Sequence, residues 1–261
     1  MFCAQLLLSL SPKKIYEKVN LIVEKGNTLL KIAVFDADRI VALTFKDPNE
    51  PSCIGDFIEQ YRPDKGIMSS VTDKNKKMIH TLKTKLSCFL WFDETVSVPV
   101  SVEYETIKTL GKDRIAAVAG AYFLRPGQPV LVIDAGTAIT YELLDASGIY
   151  KGGNISPGLT TRFRSLHRFT RQLPLVEEQA DVPFIGTNTE TAIRAGVVNG
   201  IAFEMDGYID VLKSKYSDIF VYLTGGHAFY FEKRLKNNIF VAPNLVLIGL
   251  NRILEYNAKK N

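Results

Sequence analysis

A short motif occurs twice in this 261-residue chain, 110 positions apart. In residues 128–141, four apolar residues run into Asp134, a Gly-Thr-Ala turn follows, and a second extended run begins. Residues 20–35 repeat this order, with Glu24 in the place of Asp134. Each copy predicts a strand, a tight turn and a returning strand. Two copies one domain length apart indicate an internal duplication, whose halves leave a cleft between them.

Turns of this kind are suited to binding polyphosphate. Gly136 lets the backbone approach a phosphate closely, Thr137 adds a hydroxyl, and Asp134 can hold a cation that neutralises phosphate oxygens. A β-hairpin whose aspartate only bonds its own turn produces the same pattern. The repetition of the motif favours the binding role over the plain hairpin.

The length and composition fit an ordinary globular protein with one or two cores, since 46% of the residues are hydrophobic and 23% are charged. Two domains of roughly 110 to 130 residues are the expected division. A Pro-Gly break within residues 122–128 marks the boundary. We therefore predict an N-terminal extension at 1–19, a first domain at 20–127 and a second domain at 128–261.

Strand and helix patterns alternate in both halves, which is typical of mixed α/β domains. The fold class predicted from the residues is therefore α/β with two similar domains. Beyond the two hairpins, the patterns predict strands at 39–45, 66–71, 88–92, 98–102 and 219–223, and helices at 54–61, 74–85, 159–171, 189–212 and 244–256.

Several classes of partner are disfavoured. The net charge of +4 is spread through the chain, and no block of Lys and Arg interleaved with aromatic residues suggests a nucleic-acid surface. Residues 1–10 are apolar, but they lack a basic n-region and a cleavage site and are too short to span a membrane. The odd, unpatterned cysteines indicate reduced thiols. We expect a cytoplasmic protein without nucleic-acid or membrane partners.

Two further stretches are candidates for chemistry. Gly111 lets the chain turn into a helix whose first turn contains Asp113 and Arg114, where a carboxylate is favourable and an arginine can clamp an anion. The alternative is that Asp113 only caps the helix. Gly225 and Gly226 follow the buried strand at 219–223, where a nucleotide can lie against the backbone; a tight strand-to-helix turn is the alternative.

Six motifs together resemble those of the type III pantothenate kinases. Each is weak alone, but six in this order and at similar spacing are specific. The resemblance covers residues 20–257, nearly everything except the N-terminal extension. In chain order the motifs are EKGNT (24–28), YETIKTLGKDR (104–114), DAGTA (134–138), GGNISPG (152–158), GTNTETAIRAG (186–196) and TGGHA (224–228).

The resemblance implies the fold of the acetate kinase, sugar kinase, heat-shock chaperone and actin superfamily, in which two ribonuclease H-like domains hold ATP in the cleft between them. It implies transfer of the γ-phosphoryl group of ATP to the primary hydroxyl of pantothenate, the first step of coenzyme A synthesis. It also implies magnesium and a monovalent cation, potassium or ammonium. The duplication seen in the residues agrees with this fold.

The same resemblance assigns residues to the site by their positions in the motifs. It implies that Asp113 is the catalytic base, that Asp134 binds the monovalent cation, and that Glu24 holds magnesium through water. The implied pantothenate pocket consists of Tyr104, Gly111, Lys112, Asp113, Arg114, Thr170 and Thr189. The implied ATP site consists of Glu24, Lys25, Gly26, Asn27, Thr28, Leu29, Leu30, Lys31, Thr137, Gly225 and Gly226.

One position departs from the family pattern, which has Asp where this chain has Glu24. The extra methylene advances the carboxylate by up to about 1.5 Å, which alters the magnesium geometry but not the fold. Two alternatives therefore stay open: a nucleotide-binding regulatory protein without turnover, and a superfamily kinase or phosphatase that acts on another small acid. Asp113 and Arg114 favour an enzyme, and Tyr104, seven residues before Gly111, favours pantothenate.

The resemblance also implies a homodimer through the helix at 159–171, which carries Leu159, Phe163 and Leu166 on one side. Thr170 would then reach the pantothenate pocket of the neighbour. Family chains begin close to the first strand, so that residues 1–18 are surplus. These residues form either an added helix or a segment upstream of a true start at Val19.

Overall fold

The computed structural model describes residues 18–48, 53–72 and 75–259 of the chain. Two β-sheets form its framework, and α-helices pack against them. The expectations for residues 1–18 concern a segment that, apart from Lys18, lies outside these ranges. Within them, no helix combines the length and the apolar composition needed to cross a bilayer.

The first sheet contains β1 (Val19–Lys25), β2 (Leu30–Asp36), β3 (Arg39–Lys46), β4 (Lys65–Ser70) and β5 (Cys88–Trp91). Its spatial order is β3-β2-β1-β4-β5. The first three strands are antiparallel neighbours, and β4 and β5 add in parallel on the other side of β1. Helix α1 (Cys53–Tyr61) precedes β4, and helix α2 (Lys76–Lys85) precedes β5.

The second sheet contains β6 (Ser101–Val102), β7 (Val130–Ala135), β8 (Ala138–Leu144), β9 (Ile149–Pro157), β10 (Phe220–Thr224) and β11 (Phe240–Val241). Its spatial order is β11-β10-β7-β8-β9-β6. A 3-10 turn (Ile107–Thr109) and helix α3 (Lys112–Leu124) precede β7. The remaining helices are α4 (Leu159–Phe169), α5 (Thr189–Lys215), α6 (Ala228–Glu232) and α7 (Leu245–Ala258).

The two sheets share one topology. The antiparallel strands β7, β8 and β9 match β1, β2 and β3, and the parallel additions β10 and β11 match β4 and β5. This repetition confirms the predicted duplication and the α/β fold class with two ribonuclease H-like halves. The short strand β6, which comes before the boundary expected at residue 127, pairs with β9 in the second sheet. The division into domains stays a prediction.

The predicted elements are present, with ends that shift by up to three residues. Central strands such as β1 and β7 are covered on both faces, which explains their continuous apolar runs. The sequence patterns do not predict β9 or β11, and they place a helix after Gly226, where α6 lies, without giving its bounds. Glycines interrupt the apolar pattern of β9, while a two-residue strand and a five-residue helix are too short to show a period.

The apolar side of α4 faces the core of its own chain. Leu159 and Phe163 are buried in the hydrophobic cluster beneath the second sheet, and Leu166 packs against that cluster. An amphipathic helix on a sheet buries its apolar stripe in this way. Leu159, Phe163 and Leu166 therefore pack within their own chain, and the homodimer through the region of α4 stays a prediction.

Helices α3 and α7 pack against each other, and their residues share one hydrophobic cluster with residues of both sheets. Two glycines allow the close approach. A Cβ added at Gly249 of α7 would overlap the carbonyl oxygen of Ala116, and a Cβ added at Gly120 of α3 would overlap that of Leu245. Backbone contact therefore sets the separation of these helices.

Replacing Gly249 by alanine tests this contact. We expect Gly249→Ala to lower the free energy of unfolding by about 2–4 kcal/mol, because the added methyl group must displace backbone. Gly207→Ala is the matched control, since a Cβ there meets nothing within 4 Å and alanine favours a helix by about 0.5–1 kcal/mol. Urea unfolding of both variants is the measurement, and equal stability of the two would contradict the role given to Gly249.

Candidate active site

The two duplicated turns meet at the mouth of the cleft. In the first, the Gly26 N–H donates to the carbonyl of Leu29 at 2.9 Å, and in the second the Gly136 N–H donates to the carbonyl of Ala138 at 3.1 Å. The hydroxyl oxygens of Thr28 and Thr137 lie 3.4 Å apart across the gap. Equivalent turns of the two halves therefore face each other, as the duplication predicts.

The acid of the first turn is paired across its own hairpin. Glu24 and Lys31 are register partners in β1 and β2. The Lys31 Nζ lies 2.9 Å from Glu24 Oε2, and the Glu24 side chain is only 11% exposed. Glu24, which stands where the family pattern has Asp, therefore has a partner of opposite charge on the neighbouring strand.

The acid of the second turn titrates far from its ordinary range. The pKa of Asp134 is raised to about 7, and burial is the main cause. The Lys31 ammonium opposes this rise, and the Glu24 carboxylate adds to it. Asp113 and Glu142 add to it as well, so that three other carboxylates and one ammonium act on Asp134.

Asp113 lies in the first turn of α3, as predicted. Its Oδ1 accepts the backbone N–H of Arg114 at 2.9 Å. The N-cap residue is Gly111, which has no side chain to satisfy the helix end. Asp113 therefore does serve the helix N-terminus, but burial raises the pKa of its carboxyl above the ordinary value. A half-buried carboxylate with a raised pKa, acting on Asp134, is more than a cap requires.

Arg114 binds a carboxylate of its own chain, that of Glu142. Its Nε and Nη2 donate to the two carboxylate oxygens of Glu142 at 2.6 and 2.8 Å, and Nη2 also lies 3.0 Å from the Tyr150 hydroxyl. The guanidinium carbon lies 5.7 Å from the ring centroid of Tyr104, which stacks on Tyr150 at 6.1 Å. The structure thus joins the predicted residues Tyr104 and Arg114 through two residues that the sequence did not single out.

The turn after β10 lies against the second hairpin. Gly225 has φ +92°, and a Cβ added there would overlap Asp134 Oδ1. The N–H of His227 donates to the carbonyl of Ala135 at 3.0 Å. Gly225 and Gly226 are therefore next to Asp134, where the sequence places part of the ATP site.

Two predicted substrate residues lie at helix ends in the second half. Thr170 is the C-cap of α4, and its hydroxyl donates to the carbonyl of Leu166 at 2.7 Å. Thr189 is the first residue of α5, directly after the N-cap Asn188. Their roles in a pantothenate pocket stay predictions.

Glu142 and Tyr150 are the buried residues that sequence reasoning missed. The available signal was an acid inside the apolar strand β8, since a carboxylate in that setting needs a partner. Across the described ranges, no three side chains of His, Cys, Asp or Glu gather as a ready-made metal site. Any cation in the cleft would therefore need ligands from water or substrate as well.

Comparison with known proteins agrees with the geometry. The family model for type III pantothenate kinase matches residues 20–211. A type III pantothenate kinase of Bacteroides fragilis (strain YCH46) is 46% identical over 239 residues, which cover 92% of this chain and 98% of the relative. One of Porphyromonas gingivalis (strain ATCC 33277) is 44% identical over 241 residues, covering 91% and 98%.

Solved structures share the fold at low identity. A Baf family protein from Campylobacter jejuni aligns with a TM-score of 0.60 at 22% identity, over 92% of this chain and 99% of that one. The activator of the 2-hydroxyisocaproyl-CoA dehydratase from Clostridium difficile, solved with bound ADPNP, aligns with a TM-score of 0.51 at 12% identity, over 93% and 96%. Both likenesses concern the fold alone.

The raised pKa of Asp134 predicts how stability depends on pH. Between the ordinary value of 3.8 and about 7, the unfolded chain is ionised while the folded chain keeps the proton. Stability is therefore lost as the pH rises through this range, by about 4 kcal/mol in all once the pH exceeds about 7. We expect Asp134→Asn to raise the free energy of unfolding of the ligand-free protein at pH 8, and to raise it less at pH 5.5.

Urea unfolding at the two pH values is the measurement. Asp36→Asn is the control, because its carboxylate is 41% exposed and its loss should change stability by less than about 0.5 kcal/mol at either pH. A loss of stability in Asp134→Asn at pH 8 would show that the folded protein stabilises the charged form.

Proposed function

The chain belongs to the type III pantothenate kinase family, and we propose that its cleft transfers the γ-phosphoryl group of ATP to the primary hydroxyl of pantothenate, the first step of coenzyme A biosynthesis. One observation carries the proposal. The hydroxyls of Thr28 and Thr137 meet 3.4 Å apart, and the half-buried Asp113 lies close enough to Asp134, in the second of these turns, to raise its pKa. An acceptor base beside two phosphate turns suits phosphoryl transfer. Nothing in the described part of the chain favours a regulator or a different acid substrate.

The two turns bind the triphosphate of ATP in this proposal. Glycine turns expose backbone N–H groups, and the hydroxyls of Thr28 and Thr137 add donors on both sides of the cleft. Gly225 and Gly226, which lie against the Asp134 turn, let nucleotide approach the backbone closely. Residues 24–31 and Thr137 thus keep the ATP-binding roles that the motifs assign to them.

The residues present fit magnesium and a monovalent cation, either potassium or ammonium. Magnesium is typically bound through one or two carboxylates, waters and substrate phosphates. Glu24, whose Oε2 lies 2.9 Å from Lys31 Nζ, would offer its carboxylate to a magnesium-bound water. Asp134 supplies the carboxylate for the monovalent cation. When bound, the cations neutralise charge on the phosphate oxygens.

Asp113 receives the proton of the pantothenate hydroxyl. A bond forms between the hydroxyl oxygen and the γ-phosphorus, and the bond from that phosphorus to the oxygen bridging it to the β-phosphate breaks. Because the transition state is loose, the proton leaves late, and the base mainly orients the hydroxyl. The raised pKa of Asp113, due first to burial, makes it a stronger base than an exposed carboxylate.

Pantothenate lies against the first turn of α3. Gly111 and Lys112 lead into that turn, and Tyr104 covers the buried Arg114. The charge of the Arg114 guanidinium is already paired with Glu142. Arg114 therefore lines the pocket in a fixed position and does not bind the substrate as a free cation. Thr189 completes the proposed pocket.

A second copy of this chain is the proposed partner of an exposed apolar surface. Phe184 and Phe203 are 70% and 61% exposed, and their ring centroids lie 6.3 Å apart. Asn199 of α5 donates to the carbonyl of Phe184 at 3.2 Å, which holds the loop against the helix. Two ordered aromatic rings in contact and exposed to water suit a twofold interface. Phe169, at the end of α4 next to Thr170, is also exposed.

The cytoplasm is the proposed location. The reaction consumes ATP, and Cys88 is a free thiol. Reduced cysteines are the rule in that compartment.

Turnover with pantothenate is the central test. We expect ADP release from magnesium-ATP to depend on pantothenate and to increase with potassium. In Asp113→Asn, kcat should fall at least tenfold, because a positioned base contributes about 10²- to 10⁴-fold, while calorimetric binding of ATP stays unchanged. More than a tenth of the wild-type kcat in the variant would remove Asp113 as the base. Tight ATP binding by a wild-type protein that has no turnover would support the regulatory alternative.

The homodimer is tested by sedimentation. Phe203→Asp should shift the protein from dimer to monomer, because a buried unpaired carboxylate opposes association. Phe45→Asp is the control, since Phe45 is 51% exposed on β3 in the other sheet and should leave the dimer intact. A monomeric wild type that is fully active would refute this interface.

A further inference from the structure

The carboxylate of Glu142 is completely enclosed within the second half. Its side chain is 0% exposed, and that of its partner Arg114 is 6% exposed. Oε1 accepts Arg114 Nε at 2.6 Å, and Oε2 accepts Arg114 Nη2 at 2.8 Å and the Tyr150 hydroxyl at 2.5 Å. Both oxygens are therefore satisfied by donors of the chain itself, and neither faces solvent.

Stability alone gives a weak reason for such an arrangement. Removing two charges from water is expensive, and apolar residues of similar volume often replace a buried ion pair at no loss of stability. Buried bidentate pairs do, however, fix the position and the plane of the guanidinium. We therefore expect Glu142 to contribute by orienting neighbouring groups more than by stabilising the fold.

The pair supports the two groups that the proposed pocket depends on. Arg114 is the neighbour of Asp113 in the first turn of α3, so the position of its side chain constrains the start of that helix. Tyr150 stacks beneath Tyr104 at 6.1 Å, and Arg114 lies 5.7 Å from the Tyr104 ring. One carboxylate on β8 thus connects the turn that carries Asp113 with the aromatic wall formed by Tyr104.

We propose that Glu142 is a positioning residue for the acceptor side of phosphoryl transfer, acting through Arg114 and Tyr150 without touching substrate. This inference rests on the proposed function, because it assigns the pocket around Asp113 and Tyr104 to pantothenate. The proposal makes different predictions for the two substrates. Glu142 orders the pocket of the acceptor, whereas ATP is bound at the turns of Thr28 and Thr137.

The charge of Glu142 also acts on the base. Asp113 is next to the positive Arg114, which lowers its pKa, and the negative Glu142 raises it. Asp113 in turn raises the pKa of Asp134 on β7, a carboxyl on which burial acts most strongly and on which Lys31 and Glu24 also act. Pairing Arg114 with Glu142 therefore keeps a guanidinium close to the base while limiting the loss of basicity.

Steady-state kinetics of Glu142→Gln in the full-length protein tests the proposal. Glutamine keeps the shape but loses the charge, and its amide N–H2 opposes the donors of Arg114. We expect kcat/KM for pantothenate to fall about 10- to 100-fold, the effect of misplacing reacting groups by up to about 1 Å. The KM for ATP and the calorimetric affinity for ATP should stay within about twofold of wild type, since the hydrogen bonds of Glu142 go to Arg114 and Tyr150 and to neither ATP turn.

Glu204→Gln is the matched control. Glu204 on α5 also binds an arginine, a tyrosine and a further hydroxyl, namely Arg162, Tyr141 and Ser156. This second cluster includes Tyr141, the neighbour of Glu142 on β8, but it includes none of Arg114, Tyr150 and Tyr104. Its variant should lose comparable interactions in the second half and keep kcat/KM for pantothenate within about threefold of wild type.

Glu142→Gln leaves the buried Arg114 without its counter-charge, which is costly enough to impair folding. A second variant that keeps the ion pair is therefore needed. Tyr150→Phe removes one hydroxyl from the same carboxylate and keeps the ion pair, so kcat/KM for pantothenate should fall about threefold or more with the KM for ATP unchanged. Wild-type kinetics in every folded variant would overturn the proposal, as would equal losses for both substrates. A wild-type protein without pantothenate turnover would overturn the proposed function, and this inference with it.

Discussion

Backbone contact between α3 and α7 is the constraint on which the cleft depends. Gly249 and Gly120 remove the side chains that would otherwise separate these helices, so peptide groups pack directly on each other. The two helices share one hydrophobic cluster with both sheets, and their separation therefore sets the distance between the halves. Because Asp113 lies in the first turn of α3, the same contact also places the carboxylate that acts on Asp134. Packing far from the phosphate turns thus determines the geometry at them.

The second organising feature is the concentration of negative charge in a poorly solvated space. Burial raises the pKa of Asp134 and of Asp113; neighbouring carboxylates add to both shifts, while Lys31 opposes the first and Arg114 the second. Such a site opposes folding in the absence of ligands, which is common where function needs charges that water would otherwise stabilise. Under the proposed function, cations that accompany the nucleotide would be attracted to the same carboxylates. The electrostatic cost in the ligand-free protein would then be offset when those cations bind.

Local features were predictable from the sequence, whereas long-range partners were not. The two hairpins, their acid-x-Gly turns and the helix start at Gly111 follow from residues close together in the chain, and the repeat itself indicated the cleft. The partner of Arg114 was not predictable, because Glu142 is 28 residues away and its burial depends on the register between β8 and β9. The apolar stripe of α4 shows the same limit. A sequence reveals that a helix has an apolar side, but only the packing shows that this side faces its own sheet.

At Glu24 a local feature of the sequence, the longer acid, meets a partner that only the structure shows. A longer acid at this position could displace the turn or be accommodated by its surroundings, and the turn keeps its bond from the Gly26 N–H to the Leu29 carbonyl. The accommodation comes from the opposite strand, where Lys31 is the register partner of Glu24 and reaches its carboxylate at 2.9 Å. Lys31 also opposes the raised pKa of Asp134, so it couples the acids of the two halves. Glu24 and Lys31 therefore form a pair in which the length of the acid and the position of the lysine depend on each other. An impaired site would be expected to have lost that pairing, whereas here both members are present and in contact.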